Sequence, residues 1–464
     1  MKIKSPHPQS RRPFVPTALL SCGLAVLSTG SVLRATTDIS TLSPAANTTI
    51  SPSAGTDTAW TVSTNSTVGG IAFIRTAGGQ SFTFTGSTGS EVLTFSNTST
   101  PVFATNSFFN GTTYWGNMVV AGSQGINLQT GFNNLVLQTG LSWTATGTMT
   151  FTQPASDGNI IYAQGNNVLA SNMDLNLGSG SKGSLLVING NTTQTAGALT
   201  GTANDYVTAY SGSTGVFRNS VTPTGTNTTA TSGAPVVLQI GNTNSNATFA
   251  GVIGAQSGSN LAGTDTSAAA GYINLVKLGT GTQTFTGANV YSGSTTISAG
   301  TLTLSSAGSI ANSTVYNIAA GATLDVSAKS AYGLASVATT LGVGATTNGF
   351  INGATTTALT LGNSLTLNFT AIPTGTSFNL YDASGVSGDF SSVSVTGILG
   401  TGSLTLGSGI WSGTFGGYDL SLTESSGTLT ATASAIPEPS TYAALLGVTV
   451  FGFIMMRRRN AVRA

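Results

Sequence analysis

Residues 275–304, LVKLGTGTQTFTGANVYSGSTTISAGTLTL, leave few folds open to this chain. Three short runs, Thr282–Thr286, Thr295–Ser298 and Thr301–Leu304, alternate apolar or β-branched residues with small polar ones. That is the period-2 pattern of strands. Gly279, Gly281, Gly287, Gly293 and Gly300 fall between the runs, where the backbone must bend and a Cβ would obstruct it. No helical periodicity enters the stretch. Strands this short cannot bury a core alone, so the pattern requires similar coils above and below it.

Leu275, Lys277, Gly279, Gly281, Thr282, Gly287, Asn289, Tyr291, Gly293, Thr295, Ile297, Gly300, Thr301 and Leu302 occupy fixed offsets. In this spacing the stretch resembles the autotransporter-associated β-strand repeat, with Phe285 where that family usually has Leu. The resemblance implies a right-handed parallel β-helix on a secreted or surface-displayed passenger. It implies no particular activity.

The flanks extend the pattern. Asn246–Ile253 and Ile318–Val326 resemble the strands that precede and follow such a repeat, and strand-like sequence runs on to Thr370, giving a solenoid over 246–370. Over 36–245 the signature is degenerate. Short strands recur at Ser81–Thr85, Val92–Phe95, Asn134–Leu137, Thr148–Thr152, Met173–Leu177 and Ser184–Ile188, with Asn-Gly turns at Asn110-Gly111 and Asn189-Gly190. Drifted coils of the same solenoid or a β-sandwich would both read this way. Residues 371–433 gain aromatic and acidic residues, with strands expected at Phe378–Tyr381, Ser391–Val395, Gly402–Leu406, Thr414–Leu422 and Thr428–Thr432. A solenoid needs a unit that covers the open end of its core, and this segment is read as that β cap. The expected fold is all-β: a parallel β-helix of coils of ~20–25 residues with a C-terminal cap.

Charge is scarce and segregated. Only 6% of the 464 residues are charged, against about 25% in ordinary domains. Disorder is a poor account, because it goes with low hydrophobicity and high net charge. Lys2, Lys4, Arg11, Arg12 and Arg34 lie at one end, and Arg457, Arg458, Arg459 and Arg463 at the other. Between them stand Arg75, Lys182, Arg218, Lys277 and Lys329 against thirteen acids. A nucleic-acid partner is excluded, since phosphate contacts need clustered bases.

Residues 1–35 read as an export signal: a basic segment from Lys2 to Arg12, then an apolar one from Phe14 to Leu27. Cleavage fits near Gly30 or at Ala35. Ser10-Arg11-Arg12-Pro13-Phe14-Val15 resembles a twin-arginine signal, though an ordinary basic leader suits a chain with no sign of a cofactor loaded before export. Leu19-Leu20-Ser21-Cys22 resembles a lipoprotein cleavage box, a weaker reading because apolar sequence continues past Cys22. His7 and Cys22 are the chain's only His and Cys, so removal of the signal leaves neither imidazole nor thiol.

Residues 436–464 have a different grammar. Ile436-Pro437-Glu438-Pro439-Ser440-Thr441 leads into the apolar run Tyr442–Met456 and then Arg457-Arg458-Arg459. The prolines hold an extended peptide that a processing enzyme can read as a strand. The apolar run is shorter than the roughly twenty residues that span a bilayer, a gap that snorkelling side chains at both ends would close. It is read as one transmembrane helix, with Arg457, Arg458 and Arg459 as a cytoplasmic stop. Pro437, Glu438 and Pro439, the apolar run and the basic end resemble the PEP-CTERM sorting signal of Gram-negative bacteria. That resemblance implies recognition and tail removal by a membrane-embedded exosortase, after an inner-membrane intermediate, and an association with biofilm and exopolysaccharide.

Without a mature His, a His-based triad or general base is impossible. Zinc would have carboxylates alone. Asp382 with Asp389, and Asp419 with Glu424, are the closest acid pairs and could serve glycoside hydrolysis or calcium, yet they read first as solubilising loop acids. Asn289 and Tyr291 read as residues inside the coil. The sequence therefore points to an exported surface or matrix protein, structural or adhesive, with no catalysis, metal or cofactor. Its expected partners are the export machinery, an exosortase, the membrane, and exopolysaccharide or other matrix components. A polysaccharide-active β-helix enzyme is the alternative, which converging acids in one groove would favour.

Overall fold

The computed structural model describes residues 36–38, 48–50, 58–68, 71–73, 82–95, 103–105, 112–122, 126–129, 134–152, 159–178, 183–212, 228–254, 268–354, 356–434 and 439–461. The chain divides into two compact units, Met1–Arg34 and Ala35–Ala464. The expected export signal, with Arg11, Arg12 and Cys22, lies outside the described residues.

The second unit is built almost wholly from short strands in stacked parallel sheets, the arrangement of a β-solenoid. In the N-terminal half successive turns of chain supply strands to three walls of unequal length. A nine-stranded wall runs from Thr36–Asp38 to Val252–Ile253, a four-stranded one from Ser66–Val68 to Leu141–Trp143, and a seven-stranded one from Thr48–Ile50 to Leu199–Thr200. Every ladder among these strands is parallel, which excludes the β-sandwich. New walls start at Thr193–Thr195 and Ala247–Phe249 and carry the solenoid through the repeat. There Leu275 pairs with Thr295, Thr295 with Tyr316, Tyr316 with Thr339, Thr339 with Leu365 and Leu365 with Val393. A coil thus takes about 20 residues at the repeat and lengthens to about 28 beyond it.

The turns explain the glycines. Gly279 has φ +64°, and a Cβ there would collide with the carbonyl oxygen of Gly241 in the preceding coil. Asparagines in the turns reach across coils. Asn65, Asn166, Asn244, Asn246 and Asn274 accept the backbone N–H of Val92, Thr193, Thr280, Thr282 and Ser294, at 2.7–2.9 Å. A side-chain carbonyl thereby stands in for a ladder carbonyl where the strand has ended.

Inside, like residues stack. Trp115 lies 6.1 Å from Trp143 at 19°, and 5.8 Å from Phe84. Phe285, Ile297 and Leu302 are buried, as period-2 reading requires. A second apolar cluster of Tyr114, Val136, Ile160, Tyr162, Leu185 and Val187 lies on the other side of the nine-stranded wall. It accounts for the continuous apolar strands Asn134–Leu137, Asn159–Ala163 and Ser184–Ile188, which are buried on both faces. The short helix Ala268–Gly271 interrupts the strand sequence expected from Asn246 to Thr370. Three consecutive alanines favour it, and its Ala270 carbonyl accepts the hydroxyl of Thr208 on that outer side.

At the C-terminal end, antiparallel pairing replaces parallel. Ser377–Asn379, Thr428–Ala433, Tyr418–Thr423, Ile410–Phe415 and Thr405–Gly407 form one sheet in that spatial order. Thr414–Leu422, expected as one strand, is two halves of a hairpin. Gly416 and Gly417, at φ +55° and +81°, reverse the chain between Phe415 and Tyr418.

The C-terminal segment forms a helix, Pro439–Ala461. Among the described residues no helix is long and apolar enough to cross a membrane, which corrects the expected transmembrane helix. The apolar run is about fifteen residues, preceded by Pro-Ser-Thr and followed by arginines, so its hydrocarbon-compatible length falls short.

Phe285→Asp should lower stability by at least about 3 kcal/mol, because it places an unpaired charge in a site closed by Phe249 and the next coil. Denaturant titration of the exported chain checks this, and an unchanged midpoint would refute the inward register.

Candidate functional site

The acids singled out in the sequence are dispersed over the C-terminal sheets. Asp382 is exposed and accepts the Asn379 amide at 2.6 Å. Asp389 is exposed. Asp419 accepts the hydroxyls of Thr414 at 2.6 Å and Ser434 at 2.9 Å, which hold its carboxyl below the usual range. Glu424 instead turns inward, accepting the N–H of Phe390 at 2.8 Å, with its Oε2 buried and without a hydrogen bond. Among the described residues no group of three or more acids, His or Cys is placed to hold a metal ion.

Other buried polar groups serve the coil. Asp205 accepts the N–H groups of Ser184 and Thr202, while burial raises its pKa against those bonds. Gln283 is buried, and its amide both accepts from Leu199 N–H at 2.9 Å and donates to Leu199 C=O at 2.8 Å. It completes a ladder where one wall hands over to the next. Sequence reading gave no signal for Gln283, because its partner lies 84 residues away.

Within the repeat Lys277, Asn289, Tyr291 and Thr295 are buried. Asn289 accepts the N–H of Ile253 at 2.9 Å. The Tyr291 hydroxyl meets Thr295 at 2.7 Å, Thr295 donates to Ser313 at 3.0 Å, and Ser313 donates to the carbonyl of Gly293 at 2.8 Å. Lys277 occupies an inward column between Ile240 and Ile297. Its ammonium donates to the carbonyls of Leu278 at 2.6 Å, Gly279 at 2.9 Å and Ala299 at 3.4 Å. Neutral carbonyls compensate the burial of a cation incompletely, and desolvation lowers the Lys277 pKa to about 8.

The sorting positions are partly visible. Pro437 and Glu438 lie outside the described residues, and Pro439 opens the helix, where a missing N–H is tolerated. Arg457, Arg458 and Arg459 stand near its C-terminal end, where cations suit the helix dipole. Leu446, Val448, Phe451, Phe453 and Met456 are each more than half exposed, so no described part of the chain covers the apolar run.

Lys277 yields a pH test. Between about pH 8 and 10 it is neutral when folded and charged when unfolded, so the unfolded chain binds more protons and stability rises with pH. Below pH 8 it is charged in both states and the slope vanishes. Above pH 10, tyrosines of the unfolded chain ionise while burial keeps Tyr291 and Tyr332 neutral, and the trend reverses. Denaturation midpoints should climb from pH 8 to 10 and climb less in Lys277→Met. A slope is expected to remain from Lys329, whose pKa burial also lowers. Equal slopes in the two proteins would count against a buried ammonium.

Comparison with known families identifies two segments. Residues 275–304 match the passenger-associated-transport-repeat, the repeat whose spacing the sequence carries. Residues 435–459 match the PEP-CTERM protein-sorting motif. No curated protein and no solved structure matches the chain. The chain therefore carries an autotransporter-associated repeat in its solenoid and, at its C-terminal end, a sorting motif that implies processing by an exosortase and an exported, surface-associated product.

Proposed function

We propose that the solenoid is a structural or adhesive component of the cell surface or extracellular matrix, without catalytic activity, and that the C-terminal segment is its address. The observation that carries the reading is the contrast between the two parts. The coils satisfy their own backbone and turn short hydroxyl and amide side chains outward, as in the pairs Thr360–Ser387 and Thr366–Ser394. The terminal helix satisfies its backbone but leaves its apolar side chains bare. A surface of hydroxyls suits exopolysaccharide or other matrix chains, and the absence of His and Cys after residue 22 suits a role without nucleophilic or imidazole chemistry.

In this reading Pro437 and Pro439 keep the peptide before the helix extended for the exosortase. The apolar run is received by the membrane-embedded enzyme, and Arg457–Arg459 resist passage through hydrocarbon. Mass spectrometry of surface-extracted protein should find a new C-terminus near Pro437–Ser440, with Tyr442–Ala464 absent. An intact Arg463-Ala464 terminus on surface protein would overturn removal. Glu438→Ala should leave the precursor in the inner membrane, and normal surface delivery of that variant would mean the motif is not read.

A further inference from the structure

A notch lies in the solenoid's side near the handover between walls. Thr148 pairs with Asp174 on the outward side of the seven-stranded wall, between the inward-facing Met149, Met173 and Leu175. The next layer is the turn at 196–198, and over it packs the turn that follows Val236–Ile240. Gly241 N–H donates to Gly197 C=O at 2.8 Å, and Asn242 N–H to Ala196 C=O at 3.3 Å. The seven-stranded wall ends at Leu199–Thr200 and another begins at Ala247–Phe249, with a parallel bridge between Gly201 and Phe249 joining them. Beside these turns lies a cavity of about 480 Å³ lined by Gly147, Thr148, Asn172, Asp174, Asn242, Thr243 and Ser245.

Asp174 Oδ1 accepts from Ala198 N–H at 2.9 Å and from the hydroxyl of Thr243, which fixes the carboxylate in place. Its Oδ2, the Thr148 hydroxyl and the Ser245 hydroxyl take no hydrogen bond among the described residues. Asn172 donates to the carbonyl of Ala145, and its Oδ1 is buried with no partner.

We propose that this notch is a binding site for a neutral polysaccharide segment. The volume lies within the ~300–1,000 Å³ range of ligand sites. The fixed acceptor Asp174 Oδ2 beside rotatable hydroxyls at Thr148 and Ser245 matches the vicinal hydroxyls of a sugar ring, which both donate and accept. The one charge in the lining is negative, so uronate- or phosphate-bearing chains are repelled. No aromatic ring lines the site, so recognition rests on hydrogen bonds. The inference rests on the matrix role proposed above and names its ligand class and place.

The test is calorimetric titration of the full chain with neutral hexasaccharides of gluco, manno and galacto configuration, with hexagalacturonate as the acidic control. At least one neutral probe should bind, and the acidic one at least tenfold more weakly. Thr148→Leu, at an exposed position, should weaken neutral binding at least tenfold without moving the melting temperature. Asp174→Asn, which keeps an acceptor for Ala198 N–H, should narrow the gap between neutral and acidic probes. Unchanged binding in a folded Thr148→Leu protein would overturn the site while leaving the matrix role standing. No saccharide heat, together with a calcium heat abolished by Asp174→Asn, would replace the sugar with a cation and overturn the proposal. Surface protein with an intact tail would refute the sorting reading and leave the notch result untouched.

Discussion

Each coil of this chain takes its backbone hydrogen bonds from the coil before it and gives its own to the next. A parallel strand of three to six residues has no partner within its own turn of chain, so isolated coils would leave most of their N–H and C=O groups to water. Stacking satisfies both sides at once, and it fixes the column in which each side chain falls. From Leu275 through Thr295, Tyr316, Thr339 and Leu365 to Val393, one inward column passes through six coils. The polar members of that column are tolerable because neighbours in the stack satisfy them. Tyr316 meets Tyr332 at 2.8 Å, and Thr295 sits between Tyr291 and Ser313.

The same dependence explains why so few charges suffice. Ordinary domains use surface charge and long side chains for solubility, but a stacked coil presents a dense outward file of residues about 4.8 Å apart. Short hydroxyls and amides fit that spacing and bond along it, whereas like charges in register would repel. Two of the charges are enclosed by the coils. Lys277 is wrapped by three carbonyls of its own turns, and Asp205 by N–H groups of Ser184 and Thr202. Both act as connectors between layers, filling hydrogen bonds that the ends of strands leave open.

Strand ends and wall ends are also where the solenoid becomes individual. Gln283 replaces a missing strand partner for Leu199, and a notch lies around Asp174 near the same handover. At the far end, antiparallel hairpins close over Leu399, Leu404 and Trp411, ending the parallel stack. The terminal helix takes no part in this economy of shared backbone bonds. It is complete in its hydrogen bonding and incomplete only in what covers its side chains.

The sequence by itself determined what depends on local periodicity and turn chemistry. Alternation at Thr282–Phe285 and Thr301–Leu304 placed Phe285 and Leu302 in the core, and Gly279 marked a turn that only glycine fits. The order of Pro-Glu-Pro, apolar run and arginines marked the sorting segment, because that signal is read as linear chain. The tertiary structure alone decided which coil sits on which, and hence everything that needs two distant segments. Asp174 and Thr243 are 69 residues apart, and Gln283 and Leu199 are 84 apart. It also split Thr414–Leu422 at Gly416-Gly417, since a period-2 run looks the same whether it continues or doubles back. It withdrew the expected membrane span as well. Periodicity fixes which face of a strand points inward, but coil lengths that drift from about 20 to 28 residues hide the register between coils until the layers are stacked.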